Sequence, residues 1–93
     1  MKSYTKVYMK YFGYDVSDFI PCESCGAKAV DIHHLEPKSI AKAKVNLIDN
    51  LCAVCRPCHD LAGKNRGFNE SLKLKHRKNI YGVKTDHEIE RYI

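Results

Sequence analysis

No apolar run in this chain approaches the roughly 20 residues that a bilayer crossing requires, so nothing in it reads as a membrane span. Residues 1–10 hold no apolar core of the kind a secretory signal has, and the expected location is the cytoplasm. Tryptophan is absent and the hydrophobic content is an ordinary 44%. With 93 residues the chain has room for one domain, residues 1–93, and not two. Its core must be modest, and domains only slightly smaller usually need a metal or disulfide staple. Internal repeats and low-complexity stretches are missing too. Acid is scarce where base is dense. Between residues 64 and 84, seven basic residues (Lys64, Arg66, Lys73, Lys75, Arg77, Lys78 and Lys84) meet a single acid, Glu70. That segment is net +6 in a chain of net +5. Such a cluster suits a polyphosphate partner, because each cation at a phosphate releases condensed counterions. The competing reading is a solvated basic helix face.

The chain is comparatively rich in cysteine, with five. In a cytoplasmic protein cysteines are more often metal ligands than disulfide partners. Cys22-x-x-Cys25 and Cys55-x-x-Cys58 form two knuckles. Two-residue spacing lets both thiolates of a knuckle reach one ion, and two knuckles complete a tetrahedron. Four soft sulfurs suit Zn²⁺ with no position left open, so the ion is structural. Cys52-x-x-Cys55 is a rival pairing. Ala53-Val54 reads as strand interior, whereas Arg56-Pro57 reads as an exposed turn entering a helix. Cys58 is therefore the expected ligand and Cys52 a small buried residue.

Local patterns suggest a small α+β protein. Ser3 suits a helix N-cap. Tyr4, Val7, Tyr8 and Tyr11 follow at helical spacing, with Phe12 beside them, a stripe that favours core packing over base stacking, and Gly13 is a natural stop. A strand is expected around residues 30–33, a loop from Pro37 to about Asn46, and a second strand at residues 51–54. Pro57 fits the first turn of a helix that carries His59 and ends near Gly63. A further helix is expected from Phe68 or Asn69 to about Asn79. His76 and His87 read as surface residues.

His33, His34 and His59 lie beside the knuckles in sequence. A zinc ion joining the knuckles would bring the first strand near the helix of His59. Adjacent strand residues face opposite ways, so His33 and His34 need a twist or bulge to share one spot. If His33 and His59 converge, they form an open metal site, and His34 is available as a base.

Residues 22–64 resemble the HNH endonuclease family. The resemblance rests on Cys22-x-x-Cys25, on Asp31-Ile32-His33-His34-Leu35-x-Pro37, and on Asn50-Leu51-x-x-Val54-Cys55-x-x-Cys58-His59. It implies a ββα-metal core, a short hairpin plus helix, over residues 22–64. An N-terminal helix and connector (1–21) and a basic helix with tail (65–93) flank it. It also implies roles. His34 is the general base and Asn50 braces the loop that orients it. His33 and His59 hold a catalytic divalent cation (Mg²⁺, Mn²⁺, Ni²⁺ or Zn²⁺). The implied reaction is hydrolysis of DNA to a 5′-phosphate and a 3′-hydroxyl. One candidate centre per chain means that a monomer should nick one strand, and that a double-strand break would need a homodimer or two sequential nicks. Small proteins of this kind often come from phage or mobile elements. Many family members carry another ligand four residues after the helix histidine; here that position is Gly63. Lys64, Arg66, Lys73, Lys75, Arg77 and Lys78 are the expected DNA contacts. Lysine outnumbers arginine among them, which suits weak sequence preference. The rival is a zinc-stabilised nucleic-acid-binding module without catalysis.

Overall fold

The structure is a computed structural model describing residues 2–83; Lys84 and His87 lie outside the described residues. Helix α1 is Ser3–Phe12 and strand β1 is Asp31–His34. A connection follows through the short helix α2 (Lys38–Ala41) and 3₁₀ turns at Lys42–Lys44 and Ile48–Asn50. Strand β2 (Leu51–Val54), helix α3 (Arg56–Lys64) and helix α4 (Arg66–Val83) complete the order. The result is a small α+β fold, as the local patterns suggest.

The two strands pair antiparallel, with Asp31 opposite Val54, Ile32 opposite Ala53, His33 opposite Cys52 and His34 opposite Leu51. All four residues of β2 are buried, because the strand is covered on both faces and reads as continuous apolar sequence. Leu51 and Ala53 pack with Tyr8 in one cluster, alongside Tyr4, Phe12 and Ile32. Cys52 and Val54 face a second cluster with Cys22, Leu35, Ala62 and Leu72. β1 therefore has an α1 side, marked by Ile32, and an α3 side.

Three local expectations need correcting. The N-cap of α1 is Lys2, one residue before Ser3, and makes no side-chain cap bond. The buried stripe of α1 runs through Tyr4, Tyr8 and Phe12, an i, i+4, i+8 row, and Val7 is 39% exposed. Gly13 does end the helix, in the left-handed conformation (φ 74°). α4 begins earlier than expected because Asn65 caps it: its Oδ1 accepts from the Phe68 N–H at 2.9 Å.

The largest departure is His76. It is 1% exposed rather than a surface residue. Its Nδ1 donates to Glu23 (2.8 Å) and its Nε2 to the Ile48 carbonyl (2.6 Å). Glu23 also accepts from the Tyr8 hydroxyl (2.7 Å), the Ala53 N–H (3.2 Å) and Asn79 (2.8 Å). Burial alone would lower the His76 pKa, but the Glu23 carboxylate outweighs it and raises it. Burial likewise opposes ionisation of Glu23, yet His76, Tyr8 and Asn79 hold its pKa below the ordinary carboxylate value. A buried imidazolium–carboxylate pair thus ties the first knuckle to α4, with no buried side-chain polar atom left unpaired among the described residues.

Candidate metal centres and nucleic-acid interface

The first knuckle is a turn closed by the Gly26 N–H on the Cys22 carbonyl (2.9 Å), with Gly26 at φ 82°. The second lies at the start of α3, where Cys55 is the N-cap and Pro57 occupies the first turn. Glu23 N–H bonds the Ala53 carbonyl (2.9 Å) and joins the first knuckle to β2. The sulfurs of Cys22, Cys25, Cys55 and Cys58 all lie within 4.8 Å of one another. Cys25 and Cys55 are 3.6 Å apart, close to the roughly 3.8 Å edge of a tetrahedron with zinc–sulfur bonds of about 2.3 Å. The donor set fits Zn²⁺.

Position separates the fifth cysteine from the four. Burial pushes the Cys22 thiol up, but backbone N–H groups of Cys55, Cys25 and Ser24 more than compensate and bring it to about 6. Desolvation and the neighbouring sulfurs push Cys58 up to about 12. Cys52, within β2, is completely buried, and burial beside Glu23 pushes its thiol far up. It packs as an apolar residue, outside the four-sulfur group.

On the α3 side of β1, the rings of His33 and His59 meet edge to face, 5.1 Å between centroids. Two imidazoles bound to one ion at about 2.1 Å have centroids roughly 4.6–5.3 Å apart for angles of about 90–109° at the ion, so the spacing suits a shared cation. Each ring has one nitrogen already engaged. His59 Nδ1 donates to Asp31 Oδ2 (3.0 Å), leaving Nε2 open. Arg56 grips the same carboxylate at 2.9 and 3.2 Å, so both Asp31 oxygens are engaged. His33 Nε2 meets Asn69 Oδ1 of α4 at 2.7 Å. Burial lowers the His33 pKa, and the nearby His59 and His34 add to this against the Asn69 bond. The ring is thereby kept neutral, the form that binds metals. No third His, Cys, Asp or Glu joins this pair among the described residues. A side chain added at Gly63 would find open space, so the position has room for the ligand it lacks. Asn65 is spent as the cap of α4.

His34 faces the α1 side. The ladder stays regular through its pairing with Leu51, so strand alternation holds and no bulge turns it toward His33. Its ring packs edge-on against Tyr4 (4.8 Å), and its Nε2 bonds Asn46 Oδ1 at 3.0 Å. Asn50 is buried beneath the loop between the strands. Its Oδ1 accepts from the Glu36 N–H (2.7 Å), and its Nδ2 donates to the carbonyls of Glu36 (3.0 Å) and Val45 (2.8 Å). These bonds pin both ends of the loop that carries Asn46.

The basic residues divide. Lys64, Arg66, Arg77 and Lys78 are exposed. Lys73 is half-buried in ion pairs with Glu36 and with Glu70 (3.0 Å), and Lys75 reaches the Ser24 carbonyl at 3.4 Å. The loop lysines Lys38, Lys42 and Lys44 are exposed, beside the His34 loop. Sequence reasoning missed Asn69, Asn46 and Glu23. Asn69 and Glu23 meet partners more than 30 residues away, and an amide 12 residues beyond His34 has no local signature either.

Residues 22–65 match the family model described as HNH endonuclease. The chain is also similar to a protein named mitochondrial DNA mismatch repair protein mutS homolog, from Sarcophyton glaucum. Identity is 34% over 86 aligned residues, covering 83% of this chain. The chain spans only 8% of that protein's length. No solved structure matches. The matched segment holds both knuckles, the His33-His34 strand, Asn50 and the His59 helix, and residues 22–65 are a domain of the HNH endonuclease family.

Proposed function

We propose that the chain is a metal-dependent endonuclease that nicks DNA. The observation that carries this reading is the pairing of His33 with His59 across β1 and α3, each ring held from behind by an acceptor. DNA is favoured as substrate by the family and by the name of the similar mismatch repair protein. A divalent ion held there would offset negative charge developing on the phosphate and the leaving 3′ oxygen. The chain's own groups would do the rest. Asp31 aims His59 and strengthens it as a donor. His34 takes the proton of the attacking water; with Asn46 Oδ1 accepting from Nε2, its Nδ1 keeps the lone pair. The new bond joins water oxygen to phosphorus, the bond to the 3′ oxygen breaks, a solvent water protonates the leaving oxygen, and the products are a 5′-phosphate and a 3′-hydroxyl. Lys64, Arg66, Arg77, Lys78 and the loop lysines would attract the backbone without reading bases.

A non-catalytic zinc module is favoured by one observation, the missing ligand at Gly63. The two readings part in a supercoiled-plasmid assay with Mg²⁺, Mn²⁺, Ni²⁺ or EDTA. The nuclease reading expects nicked circles with at least one ion. It also expects a loss of 100-fold or more in His34→Ala with DNA binding intact. Binding without nicking by the unaltered chain, in any of these ions, would leave the module reading standing.

A further inference from the structure

We propose that Asn69, on α4, is a positioning residue of the catalytic metal site: it holds His33 in the Nε2–H form, so that His33 offers Nδ1 to the metal. This rests on the reading of His33 as a ligand. The geometry is a two-bond clamp. The Asn69 amide nitrogen donates to the Leu35 carbonyl at 2.9 Å, and its amide oxygen sits 2.7 Å from His33 Nε2. A carbonyl can only accept, so the Leu35 bond fixes which end of the amide faces Leu35 and which faces His33. The end facing His33 is an oxygen, which also only accepts. His33 Nε2 must then carry the hydrogen, and the lone pair is left on Nδ1.

The two imidazoles of the site are thus set in opposite tautomers by different partners. Asp31, a carboxylate within β1, takes the Nδ1–H of His59. Asn69, a neutral amide from α4, takes the Nε2–H of His33. Metal-bound histidines characteristically give their second N–H to such an acceptor, and removing it weakens metal binding about 10–100-fold. Asn69 lies beyond residues 22–65, so the working unit extends into α4. The same clamp grips the carbonyl one residue after His34, fixing the end of β1 that bears both histidines.

The test uses the full chain loaded with one Zn²⁺ at the cysteines, with further Zn²⁺ as the diamagnetic probe. Long-range ¹H–¹⁵N spectra should show His33 as the Nε2–H tautomer, and the added ion should shift its Nδ1. Asn69→Ala should mix the tautomers and weaken calorimetric binding of the second Zn²⁺ by 10–100-fold. Asn69→Asp keeps an acceptor at the same place and should restore the Nε2–H form even if Asn69→Ala proves too unstable to measure. An Nδ1–H tautomer in the unaltered chain, or unchanged affinity in Asn69→Ala, would overturn the proposal. Absence of DNA cleavage with the tautomer and second-ion binding intact would instead count against the nuclease reading alone.

Discussion

Cys22 and Glu23 are chain neighbours that stabilise the fold in different ways. The sulfur joins the four-cysteine group that fits Zn²⁺, while the carboxylate turns inward to His76. Removing one partner of such a buried pair leaves the other charge uncompensated, so His76→Gln should cost about 3–5 kcal/mol in denaturant unfolding. The pH dependence has a definite sign. The raised His76 pKa adds stability that is full below the ordinary 6.5 and lost as pH rises through the folded value. The lowered Glu23 pKa adds stability that is full above the ordinary 4.5 and lost as pH falls through its folded value. The stability gap between the parent chain and His76→Gln should therefore be widest between about 4.5 and 6.5, and narrow on either side. Using a difference cancels the zinc contribution common to both. The cysteines allow a second test at this scale. Cys25→Ser should lose zinc and unfold, because structural zinc binding is folding free energy. Cys52→Ala should still bind one Zn²⁺ per chain by metal analysis.

At the scale of elements, the joint between α3 and α4 is a single residue, Asn65, which leaves the helical conformation (φ −126°, ψ 108°) and caps the next helix. Asn65→Ala should cost about 1 kcal/mol, read as a lower Tm and weaker helical dichroism. Because α4 delivers Asn69 and His76, the loss should reach the site as well as the helix. β1, β2 and α3 were legible in the sequence to within about a residue, since alternation, a continuous apolar run and a proline in the first turn are local signals. The zinc knuckles were legible for the same reason: their chemistry is written in two-residue spacings. What lay hidden is what α4 does. Its lysines and leucines read as a basic amphipathic surface, yet Lys73 is consumed by Glu36 and Glu70 and His76 by Glu23. These partners are supplied by segments 3 to 53 residues away in the chain, and only packing reveals them.

Over the whole molecule, the four-cysteine group and the Glu23–His76 pair act on the same joint. An ion held by the first would clamp the knuckles together, and the second fastens the first knuckle to α4. β2 is sandwiched between them and the α1 cluster. Stripping the zinc should therefore release the histidine site along with the fold. The measurement closest to the central claim is nicking of supercoiled plasmid by zinc-loaded protein in Mn²⁺, beside His59→Ala. Nicked circles should accumulate, stop when chelator removes the exchangeable ion, and resume when Mn²⁺ is restored, while His59→Ala should stay inactive with its zinc in place. Equal nicking by His59→Ala, or none by the parent chain in any divalent ion, would contradict the account.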